Sequence, residues 1–235
     1  MAKRLGMSPA DVTVHVTLLG GGFGRKSKPD FVIEAAVVSK AMEGKPVKLT
    51  WTREDDLMHT YFHTVSVEHL EAGLDPQGKP VAWMHRSVAP TIISTFVEGA
   101  KNEAPLELGM GVINVPFAIP SIRIENPEAT AHTRIGWFRS VSNIPHAFAV
   151  QSFVAELAAA AGRDPKDYLL DVIGPARRIS PAALADTWNH GESPSDIRST
   201  RAGCGVWWRR PRARRGGAGP CQRAAASASP RTTAS

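Results

Sequence analysis

Val12-Thr13-Val14-His15-Val16-Thr17-Leu18-Leu19-Gly20-Gly21-Gly22-Phe23-Gly24-Arg25-Lys26 is the stretch that decides how this chain is read. Over 12–18, β-branched residues alternate with others, the pattern of a strand. The chain then enters a run of glycines, Gly20, Gly21, Gly22 and Gly24. Glycine lets backbone approach a ligand closely because no Cβ intervenes. Successive amides in such a loop form an anion-binding concavity. The two common phosphate motifs do not fit. A P-loop needs Gly-Lys-Ser/Thr, and Arg25 separates Gly24 from Lys26. The dinucleotide fingerprint starting at Gly20 and Gly22 requires glycine where Arg25 stands. On spacing alone, a tight structural turn and a ligand loop both remain open.

Downstream, Pro29-Asp30 opens a helix over 31–42 whose apolar residues occupy nearly all faces, as in a buried helix. Glu43-Gly44 supplies its stop. Residues 47–52 read as the next strand, and Arg53-Glu54-Asp55-Asp56 as a polar turn or short helix. Residues 63–73 and 81–88 read as an antiparallel pair. The segment between them has Pro76 and Gly78 at turn positions. Residues 90–120 read as a long irregular connection, and 122–131 as a further strand. Asn143-Ile144-Pro145 starts the clearest helix, with Val150, Phe153, Val154, Leu157, Ala158 and Ala161 on one stripe. Gly162 ends it, and Asp164-Pro165 caps a second helix through Leu170 and Val172. An antiparallel hairpin mixed with strand–helix units predicts an α+β fold.

A second loop, Arg134-Ile135-Gly136-Trp137-Phe138-Arg139-Ser140-Val141-Ser142-Asn143, puts two arginines and two aromatics before a helix N-terminus, where orphan amides favour anions. A buried aromatic hinge with surface arginines is the structural alternative. The histidines do not form a cluster. His59 and His63 have the i, i+4 spacing of a helical metal pair, but Thr60, Tyr61 and Phe62 favour strand, where those positions lie far apart. No metal-ligand set is therefore expected. No G-x-S-x-G turn occurs to carry a nucleophilic serine.

Charge is uneven along the chain. The nine arginines after Ile197 face no acidic residue; removing them from 28 basic residues leaves 19 against 22 acidic, a net of −3 over 1–196. The formal +6 thus belongs to the Arg/Ala/Gly/Pro-rich stretch 197–235, which also holds both cysteines, Cys204 and Cys221. That stretch is open to three readings: a nucleic-acid-binding arm, a solvated disordered terminus, or the product of a frame shift in a GC-rich gene. The abrupt change of composition near 195–200 favours the last. Two cysteines exclude a disulfide scaffold. No apolar run reaches the roughly 18 residues of a membrane span, and no signal peptide is visible.

Both loops resemble those of the molybdenum hydroxylases, the xanthine dehydrogenase and aldehyde oxidase family. Residues 19–26 are similar to its G-G-G-F-G loop. Residues 136–143, with 148–153 and 156–157, are similar to its second cofactor loop and helix; in form they are closest to the branch that holds the isoquinoline 1-oxidoreductase β subunit. Residues 50–56, 106–111 and 188–194 agree further. The resemblance covers 1–196 and implies an incomplete molybdopterin-binding domain, with 197–235 a foreign, disordered tail. It implies cofactor contacts from Gly21, Gly22, Phe23, Gly24, Arg139 and Ser140. It also implies molybdenum on a pterin, in the cytosine dinucleotide form, whose hydroxide attacks an electron-poor carbon of an N-heterocycle or aldehyde. Electrons would leave through iron–sulfur clusters of a small [2Fe-2S] partner subunit. The family's Gly-x-Gly-Glu motif, bearing the glutamate base, is not in this chain, so no catalytic residue is expected here. The chain reads as an interior fragment that is inactive alone. A bacterial cytoplasmic or periplasmic location is expected, with any twin-arginine leader upstream. The rivals are a non-catalytic remnant and nucleic-acid binding through the tail.

Overall fold

The β-hairpin is the part that sequence and structure place most nearly alike. In the computed structural model, which describes residues 1–175, 177–179 and 199–200, strand β2 (Val67–Leu74) pairs antiparallel with β3 (Pro80–Val88). The turn between them closes by a Gly78 N–H to Asp75 C=O bond of 2.8 Å, and the Asp75 carboxylate accepts from the amides of Gln77 and Lys79. Gly78 has φ 75°, and a Cβ there would stand 2.8 Å from the Ala161 side chain. Strand β4 (Ser121–Glu125) adds parallel to the other edge of β3, giving the order β2-β3-β4.

Helix α5 (Asn143–Ala160) lies across this sheet and α6 (Pro165–Ile173) packs against it. The Asp164 side chain accepts from the amides of Lys166 and Asp167, the predicted cap. Trp83, Phe117, Val150, Val154, Ala158 and Tyr168 form the centre of the core. The Tyr168 hydroxyl donates to the Gly78 carbonyl at 3.0 Å, tying α6 to the hairpin turn. Among the described residues no single helix is long and apolar enough to cross a membrane.

The other elements are short. Helix α1 is Ala2–Leu5, α2 is Asp30–Ala41, α3 is Arg53–His59 and α4 is Pro105–Leu108. Strand β1 (Phe62–His63) pairs parallel with β5 (Ile135–Gly136). Strand β6 (Arg178–Ile179) pairs antiparallel with β7 (Ser199–Thr200). The motif at 188–194 and the stretch 201–235 lie outside the described residues, as does the expected boundary at 196.

Several expectations are corrected. Residues 12–18 form no strand and join no sheet; Val16 is 91% exposed. Residues 47–52 likewise form no strand. A strand needs a neighbour for its N–H and C=O groups, and neither segment finds one among the described residues. Helix α2 is not buried: none of its residues is, and Phe31, Val37 and Val38 stay exposed among the described residues. The strand expected over 63–73 is split, since His63 leaves the hairpin to pair with Gly136. The strand expected over 122–131 ends at Glu125. The irregular connection 90–120 supplies core residues Val115, Phe117 and Ile119.

This division of the chain sets two stabilities. Trp83→Ala should cost about 3–5 kcal/mol, because it empties the middle of the core. Val16→Ser should change stability by less than about 0.5 kcal/mol. Urea unfolding of the two variants measures both.

Candidate functional site

The two loops singled out in the sequence meet. Gly24, at φ 88°, lies so close to the second loop that a Cβ would stand 2.1 Å from the Trp137 carbonyl oxygen. No side chain fits there. Gly136 is pressed similarly against Tyr61, whose Cβ is 2.7 Å from where a Gly136 Cβ would be. The amides of residues 20–24 donate to no acceptor among the described residues, so five consecutive N–H groups remain available beside this junction. Phe23 has φ 48° and is 64% exposed. Gly21 makes room for its ring: a Cβ there would lie 2.7 Å from it.

Backbone strain gathers in the same place. Ser140 has φ 74° and Val141 φ 46°. A β-branched residue at positive φ is an outlier, and such residues each cost about 1–3 kcal/mol that surrounding contacts must offset. The Val141 amide donates to the Phe138 carbonyl, and the Val141 carbonyl faces His63 Nε2 at 3.2 Å. His63, half of the histidine pair considered for a metal, therefore braces the second loop. Among the described residues no group of three His, Cys, Asp or Glu is placed to hold a metal ion.

The start of α5 is corrected too. Its first amides are not orphaned. Asn143 N–H donates to the Ser140 carbonyl and Ile144 N–H to the Val141 carbonyl, while Pro145 has no N–H. The strained turn consumes the donors that would have favoured an anion. Arg139 is exposed and its guanidinium has no hydrogen-bond or ion-pair partner among the described residues.

Basic residues after the glycine loop lock it in place. Arg25 forms a two-pronged ion pair with Asp30, at 2.9 and 3.0 Å, and lies over the rings of Trp51 and Tyr61. The hydrogen bond to Asp30 raises its pKa against the opposing effect of burial. The Lys28 ammonium sits 4.2 Å from the Tyr61 ring centroid, 5.3 Å from Trp137 and 5.6 Å from Phe96. Cation–π attraction of this kind joins the chain leaving the first loop to the second loop.

A buried polar network holds α5 to the sheet. The His146 Nδ1–H donates to the Met110 carbonyl at 3.1 Å. Its Nε2 lies 3.3 Å from Ser87 Oγ, 3.6 Å from a Glu103 oxygen and 3.7 Å from a Glu68 oxygen. Ser87 donates to Glu103 at 2.6 Å, and His85 Nε2 to Glu68 at 2.7 Å. The rings of His85 and His146 are 6.2 Å apart, so two histidines do come together, contrary to the sequence reading. Burial disfavours an imidazolium at 146, but the carboxylates of Glu103 and Glu68 outweigh it and raise the pKa. Burial likewise pushes Glu68 up, yet His85 and the other donors bring it below the usual range. Glu107 is a separate anchor: its fully buried carboxylate accepts from Thr91 and from the amides of Ile92 and Ala104.

The molybdopterin cofactor-binding domain family matches residues 1–168. A membrane-bound aldehyde dehydrogenase (pyrroloquinoline-quinone) of Gluconacetobacter polyoxogenes is 30% identical over 84% of this chain and 25% of its own length. A nicotinate dehydrogenase subunit from Pseudomonas putida is 28% identical over 76% of this chain and 16% of its own. The β subunit of isoquinoline 1-oxidoreductase from Brevundimonas diminuta is 28% identical over 72% and 22%. The chain thus spans a quarter or less of the length of these relatives. Among solved structures, the aldehyde oxidoreductase of Desulfovibrio gigas superposes with a TM-score of 0.54 at 23% identity, over 65% of this chain and 16% of that one. It supports the fold.

Two consequences are measurable. Gly24→Ala should part the loops and destabilise the protein by more than about 1 kcal/mol. It should also speed amide hydrogen exchange at 137–141. For His146, a folded pKa raised above its unfolded value gives stability that is fully present below about pH 6.5 and lost as pH rises through the folded pKa. Glu68, lowered on folding, acts in the opposite sense, giving stability that is lost as pH falls below about 4.5. Urea midpoints across pH 4–9 should therefore decline towards alkaline pH in the wild type and flatten there in His146→Gln.

Proposed function

Because the chain belongs to the molybdopterin cofactor-binding domain family, we propose that its two loops form one wall of a molybdenum–pterin pocket in a hydroxylase large subunit. The observation that carries this reading is the junction of Gly24 with the Trp137 carbonyl, beside free amides at 20–24. When bound, the cofactor supplies oxidative hydroxylation of an electron-poor carbon with oxygen from water. The protein's own groups bind and orient it. Backbone at Gly21, Gly22, Phe23 and Gly24 donates hydrogen bonds towards an oxyanionic centre, where preorganised amides act without reorganising. Arg139 and Ser140 approach from the second loop, and the unpaired Arg139 guanidinium supplies positive charge.

The finer assignments extend the same proposal. The cofactor is the cytosine dinucleotide form, and electrons pass to a small [2Fe-2S] subunit. The substrate is an N-heterocycle or an aldehyde. The general base comes from another part of the large subunit, since the chain covers only part of its relatives' length. Residues 1–196 are the enzymatic portion, and 197–235 are an out-of-frame extension with no nucleic-acid role. The setting is bacterial cytoplasm or periplasm.

The test is molybdenum and pterin content after purification from a host that makes the cofactor. The chain alone should retain substoichiometric molybdenum and hydroxylate neither isoquinoline nor an aldehyde. Joined to the remaining portions of a large subunit, it should retain molybdenum, and Gly24→Val should abolish that retention while Val16→Ser leaves it intact. Stoichiometric molybdenum and turnover in the chain alone would contradict the partial-pocket reading. No molybdenum in the completed large subunit would contradict the cofactor reading.

A further inference from the structure

Next to the junction, and sharing Lys28 and Tyr61 with it, lies a cleft of about 470 Å³, within the range of small-molecule sites. Two cationic side chains line it, Lys28 and Arg134, and no carboxylate does. The cationic cleft at Arg25, Lys26 and Arg53 differs: there Arg25 is spent on Asp30 and Asp56, and Arg53 on Asp56. The Lys28 ammonium has three N–H donors and no acceptor among the described residues; its neighbours are ring faces. Burial draws its pKa down, opposed by Asp30 and reinforced by Arg25. An oxyanion would supply what this half-buried cation lacks. Arg134 uses Nε and one terminal nitrogen on the carbonyls of Thr60 and Met58, which leaves the other facing no acceptor. The amides of Thr130 and Thr133 are also unspent. Of the rest of the lining, Ala100, Ala129 and Ala131 are apolar, while Ser94 and Thr95 are polar, with hydroxyls that already donate to the carbonyls of Thr91 and Ile92.

We propose that this cleft binds a small organic carboxylate, with its head on Lys28, Arg134 and the amides near Thr130 and its apolar body against the alanines. Arg134 opens the second loop, but none of these donors is among the cofactor contacts assigned to Gly21, Gly22, Phe23, Gly24, Arg139 and Ser140, so the cleft stands apart from the pterin reading.

The experiment is titration of the full chain, free of cofactor, with benzoate, followed by amide NMR at low ionic strength. Benzoate should shift the amides of Lys28, Tyr61 and 130–134, and benzamide, which lacks the charge, should bind about tenfold more weakly. Inorganic phosphate, which lacks the body, should also bind more weakly than benzoate. Lys28→Gln should weaken benzoate about tenfold while the proton spectrum shows an unchanged fold. If Lys28→Gln does not fold, Arg134→Gln, at an exposed position, should weaken benzoate instead, and unchanged binding there would equally overturn the proposal. In that case the loss of binding with added salt decides the charge dependence. Equal binding of benzoate and benzamide would overturn the proposal. So would phosphate binding as tightly as benzoate, a folded Lys28→Gln that binds normally, or shifts confined to the Arg25–Arg53 cleft.

Discussion

A buried histidine needs a partner at each ring nitrogen, and His146 shows what that constraint organises. Met110 and Ser87 supply the partners, and the carboxylates of Glu103 and Glu68 nearby raise its pKa against burial. These partners come from β2, β3 and the connection 90–120. Satisfying one side chain therefore fixes a hairpin, a long connection and the first turn of α5 relative to one another. The second loop ends where α5 begins, so the place of Arg139 and Ser140 follows from the same network. Glu107 does comparable work within the connection, where three donors on one carboxylate replace the regular ladder that the segment lacks.

The loop junction depends on the absence of atoms. A methyl group at Gly24 or Gly136 would collide with backbone or Tyr61, so glycine is required by close approach as much as by torsion. Strain at Phe23, Ser140 and Val141 is the counterpart, and it is offset by Lys28, Arg25 and His63 bridging from neighbouring segments. The unpaired amides of 20–24 stay free because these braces are side chains and leave the backbone donors alone.

The hairpin, its Asp75-Pro76-Gln77-Gly78 turn and both C-terminal helices were legible because local chemistry determines them: alternation, turn residues, caps and a helical stripe. The glycine loop and second loop were legible as motifs, but their contact was not, since it spans more than a hundred residues of chain. Glu68 and His85 carried a signal that went unread. Each occupies an inward slot of an alternating strand, and His146 extends the buried stripe of α5 through Val150 and Val154. Polar residues on an apolar face ask for partners. The strands expected at 12–18 and 47–52 failed for the opposite reason. Their local pattern is sound, but pairing is not a local property, and no neighbour is present among the described residues.

That failure bears on where binding chemistry resides. Among residues 1–60 only Leu5 is buried, whereas the hydrophobic core cluster of the described residues lies within 61–173. The glycine loop belongs to the part with no core of its own. Its geometry is therefore imposed from outside, by Tyr61, Phe96 and Trp137 closing on Lys28 and by the Trp137 carbonyl closing on Gly24. A loop held at its downstream end by such contacts, and preceded by an exposed segment outside any sheet, keeps its amides ordered only as far as those contacts reach. Order along the loop should then decline from Gly24 back towards Gly20, which makes the residues nearest Trp137 the best preorganised donors of the proposed pocket.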